Sequence, residues 1–363
     1  MTDSKTKLEN YLELITESDY KTAAKVQKQI DGLVKPPGSL GRLETLATKV
    51  AAITGKTRNN LMKKCIIVFC SDNGVVAEGV ASAPPSVTLM LALNCIQGRT
   101  GVNVLARKAK ADVLVVDMGI DADIKSESII DRKIRRGTWN IAHGPAMTYE
   151  EACQAVLTGI EMVELAKDKG YQVLGTGEMG IGNTTTSSAI FTAYSGLPTS
   201  KTVGKGAGLS EEMFEKKKKI VSQAIAVNKP NLEDPIDVLA KLGGFDIGAL
   251  VGLYIGGAYY KLPVVMDGFI SATAAMLALK LNEKVRDYIL ESHASAEPGF
   301  KELMKVINMK PFFEMEMRLG EGSGCPLTFM ALDMACALTE EMATFGEAQI
   351  DEQYQAQFSK FEF

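Results

Sequence analysis

The glycine-rich stretch LGTGEMGIGNTTTSS at 174–188 is the first candidate for chemistry in the sequence. It contains G-x-G-x-x-G, which is typical of dinucleotide-binding turns and by itself indicates a nicotinamide-dependent oxidoreductase. Its surroundings fit poorly, because Gly182 opposes the expected helix and no acidic residue for a ribose occurs before Glu211. No Gly-Lys-Ser/Thr follows, which excludes a Walker A loop. The stretch therefore predicts a loop that carries Glu178 and a helix start at Thr184 that can bind phosphate.

Two further glycine clusters lie next to charged side chains. VGKGAGL at 203–209 precedes a lysine run at 216–219. Most of that run is typical of a solvated helix face, although one lysine could turn inward to a phosphate. RLGEGSG at 318–324 places Glu321 between glycines. This cluster is either an ordinary helix start or a carboxylate held in a tight turn, which is a candidate general base.

Composition narrows the class of protein. The 363 residues are 46% apolar and 23% charged, with a net charge of −4, so nothing favours binding to nucleic acid or to an anionic membrane. The sequence contains two histidines and six cysteines without zinc-site spacing, and no apolar run is long enough to span a bilayer. We expect reduced thiols, no protein-bound metal and a cytoplasmic location.

Four short, β-branched apolar runs are predicted to be strands that position these loops: CIIVFC, ADVLVVDMG, YQVLGTGE and LPVVMDG. Helical patterns separate them, which indicates an α/β fold with a parallel sheet flanked by helices. Polar, glycine-containing turns follow all four runs: Ser71-Asp72-Asn73-Gly74, Asp117-Met118-Gly119, Gly175-Thr176-Gly177-Glu178 and Asp267-Gly268. Because parallel strands end at one edge of a sheet, we expect a shared site there.

The two ends of the chain have helical patterns instead. Residues 1–60 form amphipathic segments interrupted by Pro36-Pro37-Gly38, and the chain returns to a helical pattern near its end. The sequence thus predicts a small helical domain from residues 1–60 and 330–363, and a large α/β catalytic domain from residues 61–329.

Eight motifs, in order along nearly the whole chain, resemble one family. They are KPPGSLGRLE at 35–44, SDNGVVAEGV at 71–80, RRGTWNIAHGPAMT at 135–148, GTGEMGIGNTTTSS at 175–188, GGFDIGALVG at 243–252, DGFISATAA at 267–275, SHASAEPG at 292–299 and MRLGEGSG at 317–324. The chain resembles the nicotinate-nucleotide–dimethylbenzimidazole phosphoribosyltransferase (CobT) family.

The resemblance implies a Rossmann-like parallel sheet domain with a small helical domain built from both termini. It implies transfer of phosphoribose from nicotinate mononucleotide to an aromatic base, which gives an α-ribotide for the lower ligand of cobamides. It also implies a homodimer and no cofactor.

The resemblance assigns roles to individual residues. Glu321 would be the general base, and Glu178 a second carboxylate near the ribose. The implied phosphate- and ribose-binding residues are Gly177, Gly180, Asn183, Thr184, Gly204, Gly206, Gly208 and Lys217. The implied acceptor pocket includes Ala83, Leu91 and Leu319.

The sequence departs from the family at two pocket positions. The family usually has Ser or Tyr where Ala83 stands and Gln where Leu91 stands. Some relatives use phenol or p-cresol as the acceptor and work as pairs of paralogous subunits, and a more apolar pocket favours that variant over 5,6-dimethylbenzimidazole. A weakly active partner subunit of a heterodimer is the other alternative, against which the presence of both Glu178 and Glu321 argues.

Overall fold

The computed structural model describes residues 4–350, in which six strands form one parallel sheet. The strands are β1 (Lys64–Ser71), β2 (Ala111–Gly119), β3 (Ile129–Asp131), β4 (Val173–Met179), β5 (Val264–Met266) and β6 (Ile289–Glu291). A separate parallel pair consists of β7 (His293–Ala294) and β8 (Phe313–Glu314). The predicted α/β class with a parallel sheet is confirmed.

Helices flank the sheet. They are α1 (Ser4–Glu13), α2 (Tyr20–Asp31), α3 (Arg42–Thr54), α4 (Ser86–Ile96), α5 (Gly101–Lys108), α6 (Tyr149–Asp168), α7 (Asn183–Ser195), α8 (Thr199–Thr202), α9 (Glu211–Asn228), α10 (Pro235–Leu242), α11 (Phe245–Tyr260), α12 (Phe269–Leu281), α13 (Pro298–Val306) and α14 (Cys325–Glu341). Among these residues, no helix is both long and apolar enough to cross a membrane.

In the strand order β3-β2-β1-β4-β5-β6, successive strands are added on one side of β1 and then, from β4 onwards, on its other side, so the topological switch point lies between β1 and β4. All eight residues of β1 are buried, as expected for a central strand covered on both faces. Phe69 of β1 pairs with Glu178 of β4, so the two strands end at the same level. Open α/β sheets bind ligands in the crevice at such a switch point, beyond the carboxyl ends of the strands.

The terminal helices contact one another. α2 and α3 both pack against α14, and a backbone bridge joins Leu33 to Thr344. α14 begins at Cys325, and α1 packs instead against α6. The division into domains 1–60 plus 330–363 and 61–329 stays a prediction, and its residues 351–363 lie outside the described part of the chain.

Two glycines allow α6 and α11 to cross at close range. A Cβ atom on Gly252 would lie 1.8 Å from the carbonyl oxygen of Val156, and one on Gly159 would lie 2.0 Å from that of Ala249. Both clashes are with helix backbone, which cannot yield as a flexible side chain can. The packing of α6 on α11, the helix that covers β1 and β4, therefore depends on these two glycines.

We predict that Gly252→Ala lowers the free energy of unfolding by roughly 1–3 kcal/mol or more, because the added methyl group forces α6 and α11 apart. Urea unfolding followed by far-UV circular dichroism measures this. Gly144→Ala is the control, since nothing lies within 4 Å of its Cβ position. Equal stability of the two variants would contradict the close crossing.

Candidate active site

A cavity of about 240 Å³ lies beyond the carboxyl ends of β1, β4 and β5. The residues that line it are 80–83, 91, 178–184, 205–207, 209, 217, 267–271, 293, 295, 297 and 318–321. Of the four turns predicted to share one sheet edge, those after β4 and β5 line this cavity, whereas residues 71–74 and 117–119 do not.

The N-terminus of α7 forms one wall of the cavity. Gly182 precedes the helix with φ +93° and packs against Val76, where a Cβ atom would lie 2.6 Å from a methyl carbon. The fourth glycine of the stretch therefore delays the helix, which begins at Asn183. The hydroxyl of Thr184 then accepts a hydrogen bond from Lys217.

Lys217 is the one inward-facing side chain of the lysine run. It is 1% exposed, and its Nζ donates to Thr184 Oγ1 at 2.9 Å and to the carbonyl oxygen of Gly204 at 3.0 Å. Burial lowers its pKa to about 8, against the opposing effect of Glu297. Lys216 is exposed. The helix N-terminus, the Gly204 loop and this ammonium group together form a setting suited to an anion such as phosphate.

Glu178 and Asp246 share one amide between them. Asn183 Nδ2 donates to Glu178 Oε2 at 2.5 Å and to Asp246 Oδ2 at 2.9 Å. Burial, followed by the charge of Asp246, raises the pKa of Glu178 well above its usual value. Burial also raises the pKa of Asp246 to about 6. Two neighbouring buried carboxyl groups disfavour double ionisation, so this pair retains a proton more readily than isolated carboxyls do.

Glu321 lies in a left-handed turn. Gly320, Glu321 and Gly322 have φ values of +82°, +63° and +87°, a conformation that only the flanking glycines adopt without strain. The Glu321 carboxylate accepts a hydrogen bond from the Val102 amide at 3.1 Å, at the start of α5. Its own amide lies 3.4 Å from Glu178 Oε1. Burial raises the pKa of Glu321, which makes it a stronger base than an exposed carboxylate.

Asp267, just beyond β5, holds this turn in place. Its two carboxylate oxygens accept hydrogen bonds from the amides of Gly324 at 2.7 Å and Gly322 at 3.2 Å. Burial raises the pKa of Asp267 to about 7. His293 Nδ1 lies 3.8 Å from the same carboxylate. Burial lowers the pKa of His293 to about 4, so the imidazole is neutral at pH 7 and the contact is not an ion pair.

The predicted acceptor residues lie at one side of the cavity. Ala83, Leu91 and Leu319 all line it, and Leu319 is 58% exposed. Leu319 rests on Gly101, where a Cβ atom would lie 2.5 Å from its side chain. Ser82 also lines the cavity, so a residue that carries a hydroxyl stands next to Ala83.

The structure brings most of the predicted site residues together at the cavity wall. Three predicted residues do not line it: Gly177, Gly204 and Gly208. Gly177 lies inside β4, where a Cβ atom would approach the carbonyl oxygen of Glu321 to 2.8 Å. Its position therefore permits close packing beneath the turn that carries Glu321. Gly204 contributes its carbonyl oxygen to Lys217.

Sequence reasoning missed several residues that surround the predicted ones. They are Asp246, His293, Ser295, Glu297 and Arg318. Asp267 had been grouped only with the strand-end turns. The motif SHASAEPG, which contains three of the missed residues, was a usable signal, because it follows a buried strand at the same sheet edge.

Comparison with known proteins identifies the family. A family model described as "Phosphoribosyltransferase" matches residues 15–350. The chain belongs to this phosphoribosyltransferase family. A protein of Ruminiclostridium cellulolyticum named nicotinate-nucleotide–dimethylbenzimidazole phosphoribosyltransferase is 53% identical over 344 residues, covering 95% of this chain and 98% of the relative. A protein of the same name from Clostridium acetobutylicum is 50% identical with the same coverage.

Solved structures agree with the sequence relatives. The crystal structure of CobT from Thermus thermophilus has a TM-score of 0.87 at 37% identity and covers 91% of this chain and 99% of its own. The family resemblance predicted from the eight motifs is confirmed. The oxidoreductase interpretation of G-x-G-x-x-G was wrong, because this stretch belongs to a phosphoribosyltransferase.

The raised pKa of Asp246 predicts how the free energy of unfolding depends on pH. Its Oδ1 and the Oδ1 of Asn73 are buried without hydrogen-bond partners, and both lie against Gly244, within 2.4 and 2.7 Å of its Cβ position. Because the pKa of Asp246 is raised from 3.8 to about 6, the folded protein holds a proton that the unfolded chain loses between about pH 4 and 6. The free energy of unfolding must therefore fall as pH rises through that window.

We predict that Asp246→Asn makes this fall shallower and raises the free energy of unfolding at pH 8 by about 1–3 kcal/mol. The new amide is neutral and can donate to Asn73, while its oxygen keeps the bond from Asn183. Urea unfolding at pH 5 and pH 8 provides the measurement, with Asp168→Asn on an exposed position as the control. A variant less stable than the parent at pH 8 would refute this account.

Proposed function

We propose that the protein transfers phosphoribose from nicotinate mononucleotide to an aromatic acceptor and releases nicotinate. The product is an α-ribotide of the kind used as a cobamide lower ligand. The observation that carries the proposal is that buried Glu178 and Glu321 line one cavity together with Lys217 at a helix N-terminus. The two relatives named above bear the name of this activity, with 5,6-dimethylbenzimidazole as the acceptor.

The nucleotide phosphate binds beside Lys217, Thr184 and the Gly204–Gly208 loop, which supply one positive charge, a hydroxyl group and backbone amides. The ribose then extends past Gly180 and Asn183 towards the carboxyl end of β4. Glu178 lies at this end beside Asp246, and this pair, which holds one proton, keeps one negative charge that stabilises positive charge on the ribose ring as the glycosidic bond weakens.

Bond exchange occurs at the anomeric carbon. The bond to nicotinate breaks with its electron pair, and a bond to the acceptor forms from the opposite face, which inverts the β-linkage to α. The acceptor proton passes to Glu321, whose carboxylate stays in place through the bond from Val102. The left-handed turn directs this base towards the Ala83, Leu91 and Leu319 side of the cavity. The reaction needs no covalent intermediate on the protein.

The residues of the acceptor pocket favour a phenol as the acceptor. Ala83 and Leu91 lack polar atoms where the family usually provides them, so an unpaired ring nitrogen would cost roughly 1–3 kcal/mol. A phenol needs one hydrogen bond, which Glu321 can accept. Its hydroxyl has a pKa of about 10, so proton transfer must accompany the departure of nicotinate.

The proposal also includes the oligomeric state of the protein and its cellular compartment. We infer a dimer, either of two identical chains or with a paralogous partner, as the family resemblance implies. The six cysteines are all buried, and buried thiols agree with a reducing cytoplasm. The alternative of a weakly active partner subunit is disfavoured, because both carboxylates and Lys217 occupy one cavity in a single chain.

We predict that Glu321→Gln lowers ribotide formation about 10²–10⁴-fold, because the amide keeps the shape of the side chain but cannot accept the acceptor proton. Chromatographic detection of the ribotide after incubation with nicotinate mononucleotide and 5,6-dimethylbenzimidazole measures it. Glu316→Gln is the matched control, since Glu316 also has positive φ but is exposed. Wild-type turnover by Glu321→Gln would remove this residue from the role of base.

We predict that the protein, with any paralogous partner present, forms a ribotide from phenol or p-cresol. The double variant Ala83→Ser/Leu91→Gln should shift the ratio of kcat/KM values towards benzimidazoles about ten-fold or more, since it restores hydrogen-bonding groups. Met90→Gln, on the exposed side of the same helix, is the control. Absence of phenolic ribotides, or an unchanged ratio in the double variant, would show that the acceptor is set elsewhere.

A further inference from the structure

Glu297 is a buried carboxylate that the proposed chemistry does not use. It is 9% exposed and lines the cavity immediately before α13, yet its side chain makes no capping hydrogen bond to that helix. The carboxylate instead lies against Gly204, since a Cβ atom there would be 1.6 Å from Glu297 Oε2. Only glycine at position 204 leaves room for this carboxylate.

Glu297 lies among groups that stabilise a negative charge. Burial raises its pKa, and the charges of Lys217 and Arg318 and the backbone amide of Gly206 lower it. Lys217 and Gly206 belong to the region where the nucleotide phosphate is expected to bind. Lys217 and Glu297 do not form a direct ion pair within 4 Å, so Lys217 keeps its bonds to Thr184 and Gly204.

A carboxylate and a phosphate cannot both bind here without a cost, because like charges brought together in a poorly solvated space repel strongly. The carboxylate therefore competes with any anion that enters. Among residues 4–350, the carboxylate of Glu297 has no cation within 4 Å, and the hydrogen bond from the Gly206 amide is the contact that it gives up when an anion enters.

We propose that Glu297 is an internal anion that occupies the phosphate-binding region of the ligand-free protein and moves away when the nucleotide phosphate enters. The inference rests on the proposed function, since it takes the Lys217 region as the phosphate site. This competition makes the site selective for nicotinate mononucleotide over free phosphate. Free phosphate gains too little to displace the carboxylate, whereas nicotinate mononucleotide also binds through its ribose and base.

Isothermal titration calorimetry with inorganic phosphate tests the proposal. Glu297→Gln should bind inorganic phosphate about ten-fold more tightly than the parent, because the competing charge is gone while the size of the side chain is kept. Glu297→Asp, whose carboxylate is one methylene shorter and retreats from Gly204, should also bind more tightly. Glu302→Gln, on the solvent side of α13, is the matched control and should not change the affinity.

A second titration uses nicotinate riboside, which lacks the phosphate. Its affinity should be the same for the parent and Glu297→Gln; a loss in the variant would mean that Glu297 binds ribose hydroxyls, and would overturn the proposal. Unchanged or weaker phosphate binding by Glu297→Gln, with a melting temperature near that of the parent, would also overturn it.

A failure of the proposed function can be distinguished from a failure of the internal-anion proposal. Absence of ribotide formation by the parent chain would refute the transferase reaction, whereas the phosphate titration would still report on Glu297. If Lys217→Met left the tighter phosphate binding of Glu297→Gln intact, the phosphate would bind elsewhere and the internal-anion proposal would be overturned.

Discussion

The hydrogen bonds from Gly322 and Gly324 to Asp267 are the interaction on which the site depends. They join the end of β5 to a turn of three consecutive left-handed residues, a conformation that the isolated chain would rarely adopt. The turn places Glu321 beside Glu178 and lets the Val102 amide fix its carboxylate. Without the bonds to Asp267, the turn that carries Glu321 would lose its connection to β5, and Glu321, the proposed base, would be held by the Val102 amide alone.

The site combines two opposite electrostatic settings within one cavity. At one side, burial favours protonated or strongly basic carboxyl groups, namely Glu178, Asp246, Asp267 and Glu321. At the other, a buried ammonium group and a helix N-terminus favour an anion. In the proposed reaction, phosphoribose spans both settings, with its phosphate at the positive side and its reacting carbon near the carboxyl groups. The net charge of −4 does not reveal these two settings, because local charges of opposite sign cancel when all charges are added.

Much of this arrangement was predictable from the sequence. Long apolar runs predict β1, β2 and β4, because a strand buried on both faces needs uninterrupted apolar residues. The edge strand β3, with only three residues, and the short pair β7–β8 have too few residues to show a pattern. Glu178, Glu321 and Lys217 were predictable from glycine spacing and family motifs. Glu297 and Asp246 were not, because their importance arises from contacts with Gly204 and Asn183, which are distant in the chain.

The bond between Val102 and Glu321 joins residues 219 positions apart, and this separation has a consequence for folding. A contact between residues so far apart closes a large loop of chain, which costs chain entropy. Such contacts are therefore expected to form late in folding. We therefore expect the turn at Gly320–Gly322 to reach its final geometry only after β5 has joined the sheet, because the turn is held by Asp267 at the end of that strand. A nucleotide that recognises the finished cavity binds the native state alone, and by mass action it draws partly assembled chains to completion. Binding of the nucleotide therefore also stabilises the folded protein.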